Sequence, residues 1–337
     1  MQKINRRNFL TQTTKAAGAA IVLSQMPKTL LAAANANNMQ LGFQSWTVKD
    51  KLGADFPGTL KMMADMGYKM IEMCSPKGYA QIGFGAFTKM KTSDIKKTIN
   101  DAGLTCPSCH FGFSELTTDV DDRIEFAKEL GLTQMICSTF WLPKTATLND
   151  YLIAADKLNK GAEKIKAAGM QAGFHNHEFE FATLDGELIY DALMKRFDPE
   201  LVKMQFQTEV INLGYKASDY FKKYPGRFIS AHLSDWTADK KEVPVGKGVI
   251  DWKELFAAAK TGGVKNMFVE MSLDNLKEVN YTTTIEDQLY KLEDESETNT
   301  KKAYFFQADN FLIKKEEIIQ KDKQRMVQIS YPSHSEV

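Results

Sequence analysis

The sequence predicts an α/β chain folded as a single (β/α)8 barrel, and three observations carry that prediction. Eight strand-like runs alternate with segments of helical spacing. Glycines stand at the ends of the helical segments, where a helix-stopping residue is needed. Four of the five histidines and the best-placed glutamates lie at the ends of strand-like runs, where the active sites of such barrels collect.

The runs begin with MQLGFQSW at Met39 and KMIEMCS at Lys69, followed by LTCPSCHF at Leu104 and TQMICSTF at Thr133. MQAGFHNH at Met170, LVKMQFQ at Leu201, RFISAHL at Arg227 and NMFVEM at Asn266 complete the set. Successive strand side chains point to opposite sides, so alternation shows which groups face together. In the seventh run Ile229, Ala231 and Leu233 alternate with Ser230 and His232, and in the eighth Val269 and Met271 flank Glu270. One face is thus suited to pack on helices and the other to present polar groups inside a rim. Between the runs, Phe56, Leu60 and Met63, and again Phe126, Ala127 and Leu130, keep helical spacing. Gly67, Gly103, Gly131, Gly169, Gly226 and Gly263 each precede a run. The alternation occupies about 255 residues, the size of a (β/α)8 barrel. An open doubly wound sheet would carry a Gly-rich phosphate loop after an early strand, and none is present.

The barrel is expected over residues 39–295. Residues 1–38 read as a leader: Arg6-Arg7 precede Phe9 and Leu10, an apolar stretch runs from Ala16 to Leu23, and Ala34-Asn35-Ala36 offers a small-residue cleavage site. This resembles a twin-arginine export signal and implies a periplasmic mature protein. The apolar stretch is shorter than the roughly 20 residues that span a bilayer. Residues 296–337 leave the pattern as a C-terminal extension, with one helical stretch expected near Phe311 to Ile319.

Lys and Arg number 43, as do Asp and Glu, so the net charge is zero. No basic field for nucleic acid or anionic membrane is evident. A small-molecule partner remains, and a homo-oligomer is compatible with the composition. Four cysteines make no disulfide framework in a chain of this length. Cys106 and Cys109 have redox spacing but sit inside a strand-like run, so wall packing is expected for them and for Cys74 and Cys137.

The inward polar groups are Gln44, Trp46, Glu72, His110, His175, His177, Gln207, His232 and Glu270. Imidazole, carboxamide and carboxylate groups converging on one point can hold a divalent ion such as Mn, Zn, Mg or Co. Burying this many polar groups unpaired would be costly, so a functional site is expected.

HNHEFEF at His175, YPGRFISAHLSDW at Tyr224, VGKGVIDWKELF at Val245 and FVEM at Phe268 resemble the sugar isomerase/epimerase group of xylose-isomerase-like barrels, over roughly Met39 to Met271. The resemblance implies a divalent metal held by Glu, Asp, His and Glu on strands five to eight. His232 and Glu270 match. His175 stands at the strand-five Glu position, with Glu180 as a substitute, and Gln207 stands where Asp is expected. The implied reaction is proton transfer α to a sugar carbonyl, with Glu270 and Glu180 as the acid/base pair and His177 as an alternative base. Glu72 would orient a hydroxyl, while Gln44, Trp46, His110 and Trp141 would line the sugar pocket. An exported protein suggests a free or glycosidic keto-sugar as substrate. A 3-keto-glycoside would direct the same first step to β-elimination, and a third reading is a barrel that binds sugar without catalysis.

Overall fold

The computed structural model describes residues 41–271 apart from 244 and 247, together with backbone strands within 279–330. All eight expected runs form parallel strands: β1 (Leu41–Gln44), β2 (Met70–Cys74), β3 (Thr105–Phe111), β4 (Gln134–Cys137), β5 (Gln171–His175), β6 (Val202–Gln207), β7 (Phe228–Leu233) and β8 (Asn266–Val269). They close in sequence order, with β8 pairing both β7 and β1. Closure removes both sheet edges, leaving each strand hydrogen-bonded on two sides.

The main crossover helices are α1 (Phe56–Asp65), α2 (Thr92–Asp101), α3 (Val120–Leu130), α4 (Leu148–Ala167), α5 (Ile189–Arg196), α6 (Ala217–Lys223) and α7 (Trp252–Gly262). Local sequence sets their ends. Asp55 caps α1 through Gly58 N–H, Thr147 and Asp150 form a capping box on α4, and Asp251 caps α7. Gly131 and Gly263 end α3 and α7 at φ 94° and 88°, a left-handed conformation that costs glycine little. The same device precedes β2, β3, β5 and β7.

The outward strand faces make the core with the helices. Phe206 of β6 packs against Tyr190 of α5 and both Tyr220 and Phe221 of α6. Cys74, Cys106, Cys109 and Cys137 are buried, unpaired by disulfides, and held as thiols because burial raises their pKa. Among the described residues no helix is long and apolar enough to cross a membrane.

The expected C-terminal helix is replaced by strand. Ile313–Gln320 is the fourth strand of a five-stranded antiparallel sheet that also uses Val279–Asn280, Leu289–Glu297, Thr300–Gln307 and Arg325–Ser330. Ile313, Ile318 and Ile319 are β-branched, and the flanking runs supply the pairing partners that a helix reading ignores. The leader, residues 1–38, lies outside the described residues.

Candidate active site

Inside the barrel, the period of two builds polar layers. Ser108, Gln205 and Ser230 lie two residues before His110, Gln207 and His232 on the same strand faces. Glu72 on β2 joins the two levels. Its carboxylate accepts hydrogen bonds from Gln44 Nε2 at 2.6 Å, Ser108 Oγ at 2.5 Å, Gln205 Nε2 at 2.8 Å and the Nε2 of His232. Burial opposes ionisation of Glu72, but the adjoining His110 and His232 and these donors bring its pKa down to about 2.

His232 lies between two carboxylates. Its Nε2 faces Glu72, and its Nδ1 lies 2.8 Å from Glu270 Oε2. Burial disfavours the imidazolium, yet Glu270 and Glu72 outweigh it and raise the pKa to about 10. Gln207 Nε2 donates to the same Glu270 oxygen at 2.7 Å. Glu270 therefore stays ionised: burial would raise its pKa, but the His232 charge and hydrogen bond lower it.

Three buried imidazoles adjoin this carboxylate. His110 stacks on His232 with centroids 5.0 Å apart, and His175 lies 4.9 Å from His110 and 4.5 Å from His232. Burial lowers the pKa of both His110 and His175, which favours the neutral imidazole, and His110 Nε2 meets Gln205 Oε1 at 2.6 Å. His175 Nδ1 is buried with no hydrogen-bond partner. One nitrogen from each of His110, His175 and His232 falls within 4.8 Å of the others. A set of nitrogen donors with one orphaned lone pair fits a divalent ion of the zinc type, and Glu270 adds an oxygen donor beside it. At His232 that ion would compete with a bound proton.

A cavity of about 780 Å³ opens above this floor. Of the residues singled out in the sequence, Trp46, His110, Trp141, His175, His177, Gln207 and Glu270 line it. Gln44, Glu72, Glu180 and His232 are not among the lining residues. Gln44 instead caps the turn Ser45–Val48, its Oε1 accepting from Trp46 N–H at 3.1 Å, and Glu72 is saturated by protein donors below the floor.

Glu180 differs most from the reading that made it an acid/base group. The turn Glu178–Phe181 bends its side chain back, and Oε2 accepts from His177 N–H at 2.8 Å. Burial raises its pKa to about 8. It anchors the turn that carries His177, whose ring lines the cavity with its pKa lowered by burial to about 4.

Sequence reasoning passed over Glu209, on the turn Thr208–Leu213 after β6. It lines the cavity, and burial followed by the charges of Glu178, Glu270 and Glu242 raises its pKa to about 7. A carboxylate two residues beyond a barrel strand was the available signal. Asp235 was also missed. Its carboxylate accepts from Gly246 N–H at 2.9 Å, Gly248 N–H at 2.8 Å and Trp252 Nε1 at 3.0 Å, filling the loop after β7 from within. A Cβ at Gly248 would lie 2.1 Å from Asp235 Oδ1, so only glycine lets this loop close on the carboxylate.

Residues 60–290 match the model of the xylose isomerase-like TIM barrel family, more than half of the chain. The chain belongs to that family. A sugar phosphate isomerase/epimerase from Parabacteroides distasonis shares 24% identity with this xylose isomerase-like barrel, at TM-score 0.61 over 69% of this chain and 86% of that one. The IOLI protein, solved with a bound zinc atom, shares 14% identity at TM-score 0.55 over 71% and 91%. An L-ribulose 3-epimerase shares 16% identity at TM-score 0.52 over 69% and 81%. At these identities the likeness is one of fold. No curated protein gives a significant sequence match.

Proposed function

We propose that this barrel is a sugar isomerase/epimerase-type enzyme that moves a proton at the carbon α to a carbonyl of a free or glycosidic keto-sugar. One observation carries the reading: an ionised carboxylate, Glu270, is fixed at the cavity wall beside three buried imidazoles. Glu270 is kept ready to accept a proton by the His232 cation and the Gln207 amide. His177, neutral and lining the same cavity, can relay a solvent proton: one ring nitrogen takes it up as the other N–H is delivered to the carbanion. Removal of the α-proton gives an enediolate. Protonation of the same carbon from the other face yields the epimer, and protonation of the former carbonyl carbon yields the isomer. In a 3-keto-glycoside the same carbanion expels the anomeric substituent. His110, His175, His232 and Glu270 would hold a divalent ion, which when bound supplies Lewis-acid polarisation of the carbonyl. Gln207 adjoins that set through its bond to Glu270.

The decisive experiment incubates the protein with keto-sugars and keto-glycosides in D₂O and measures metal content on the same sample. Deuterium at the α-carbon is expected, and product analysis separates isomer, epimer and elimination product. Absence of exchange in every substrate would sink the reading and leave a sugar-binding barrel. From Arg6 and Arg7 we also propose export to the periplasm; replacing both arginines by lysine should retain the precursor in the cytoplasm, and unchanged fractionation would refute this.

A further inference from the structure

The cavity is built for more than one sugar ring. Its volume of about 780 Å³ lies high in the range of roughly 300–1,000 Å³ typical of sites for drug-sized ligands, more than a single hexose fills. The floor is polar, and the more exposed part of the lining carries large apolar side chains. Three large apolar side chains at the mouth are exposed: Trp141 is 69% accessible, Phe179 47% and Ile82 40%, and all three line the cavity. They come from the segments after β4, β5 and β2, so the collar draws on separate loops at the end of the barrel where the histidines lie.

Trp141 also occupies φ 54°, the left-handed region that a bulky residue seldom adopts. Backbone strain of that kind costs stability and concentrates at ligand sites. Phe179 lies parallel to the His177 ring, with centroids 5.1 Å apart, which joins the collar to the catalytic floor through one stack.

Charge narrows the ligand further. Among the described lining residues there is one lysine, Lys144, and no arginine. The glycine-loop amides at Gly246 and Gly248, of a kind that can cradle phosphate, are already bonded to Asp235. Among the described residues a phosphate would find one lysine in the lining and the Gly246 and Gly248 amides already engaged.

We propose that the substrate is an uncharged two-ring glycoside: the reacting sugar occupies the floor beside Glu270, and the second ring rests on Trp141, Phe179 and Ile82. Aromatic faces hold sugar C–H faces or an aryl ring by dispersion and exclude water, so this subsite needs no charge. The proposal rests on the proton-transfer reading for which ring reacts, but its test is a binding measurement.

Isothermal titration would compare glucose, glucose 6-phosphate, cellobiose, maltose and the α- and β-p-nitrophenyl glucosides on wild type, Trp141→Ala and Phe179→Ala, with melting temperatures confirming the fold. At least one two-ring probe should bind about tenfold tighter than glucose, and glucose 6-phosphate should bind more weakly than glucose. Either alanine variant should remove most of that tenfold advantage while moving glucose affinity far less. No two-ring preference, no binding of any probe, a preference unchanged in both variants, or tighter binding of glucose 6-phosphate would each overturn the subsite. Two-ring preference without α-proton exchange would sink the proton-transfer reading alone. Exchange without two-ring preference would sink only the subsite.

Discussion

Glu72 is a carboxylate with no exposure, kept charged by the surrounding protein. Its donors Gln44, Ser108, Gln205 and His232 come from or directly follow four different strands, so one side chain ties the barrel floor together. Glu72→Ala should cost about 3–5 kcal/mol in denaturant unfolding, because it leaves the His232 cation with half its compensation. A loss below 1 kcal/mol would show that His232 is not held as a cation there. Glu270→Gln should abolish α-deuterium incorporation while the fold survives, with metal content measured in the same variant to separate proton transfer from ligation. Glu180 behaves oppositely to Glu72: burial raises its pKa to about 8, so the folded state binds its proton more tightly than the unfolded chain. Its contribution is therefore full below the unfolded carboxyl pKa and declines as pH rises towards about 8. Glu180→Gln should melt like wild type at pH 4 and above it at pH 9. Equal melting temperatures at pH 9 would mean that the carboxylate is solvated.

At the scale of elements, the eight strands were legible because each is an apolar run, six of them with a glycine before it, and these signals are local. The upper polar layer was legible for the same reason, since His110, His175 and His232 end their runs on the inward face. One pleat deeper, Ser108, Gln205 and Ser230 carry the network without announcing it, because serine and glutamine in a strand read as ordinary polar residues. The direction of Glu180 was hidden by a one-turn helix, whose geometry depends on the His177 N–H it bonds. The strand at Ile313–Gln320 was hidden because a strand is defined by its partners. Asp235 shows how such hidden contacts shape an element. It gathers two glycine N–H groups and an indole N–H, each a charge-assisted bond. Asp235→Ala should cost about 3 kcal/mol, and Gly248→Ala should destabilise the same loop by collision with the carboxylate. Thermal melts within a degree of wild type for both variants would show the loop to be held by other contacts.

In the whole molecule, the floor of the site is also the centre of the barrel, where such folds usually place layers of branched aliphatic side chains. Here Glu72, Ser108, Gln205 and Ser230 occupy that interior, so ligation above them and stability around them are coupled. A ligand that binds only the folded chain stabilises it by about 2.7 kcal/mol at a hundred times its dissociation constant. For a domain of this size that is on the order of 5–10 °C in melting temperature. Chelator-stripped protein titrated with Zn²⁺ or Mn²⁺ should show such a rise, and His175→Ala should lose most of it. The rise should grow between pH 6 and 8.5, each measured against metal-free protein at the same pH. The sign follows from His232: its pKa of about 10 means that a metal entering there must displace a proton, and raising pH weakens that competitor. A pH-independent rise would place the ion on His110 and His175 without His232. No rise at either pH with either metal would remove the metal from the proposed function and leave Glu270 and His177 to move the proton unaided.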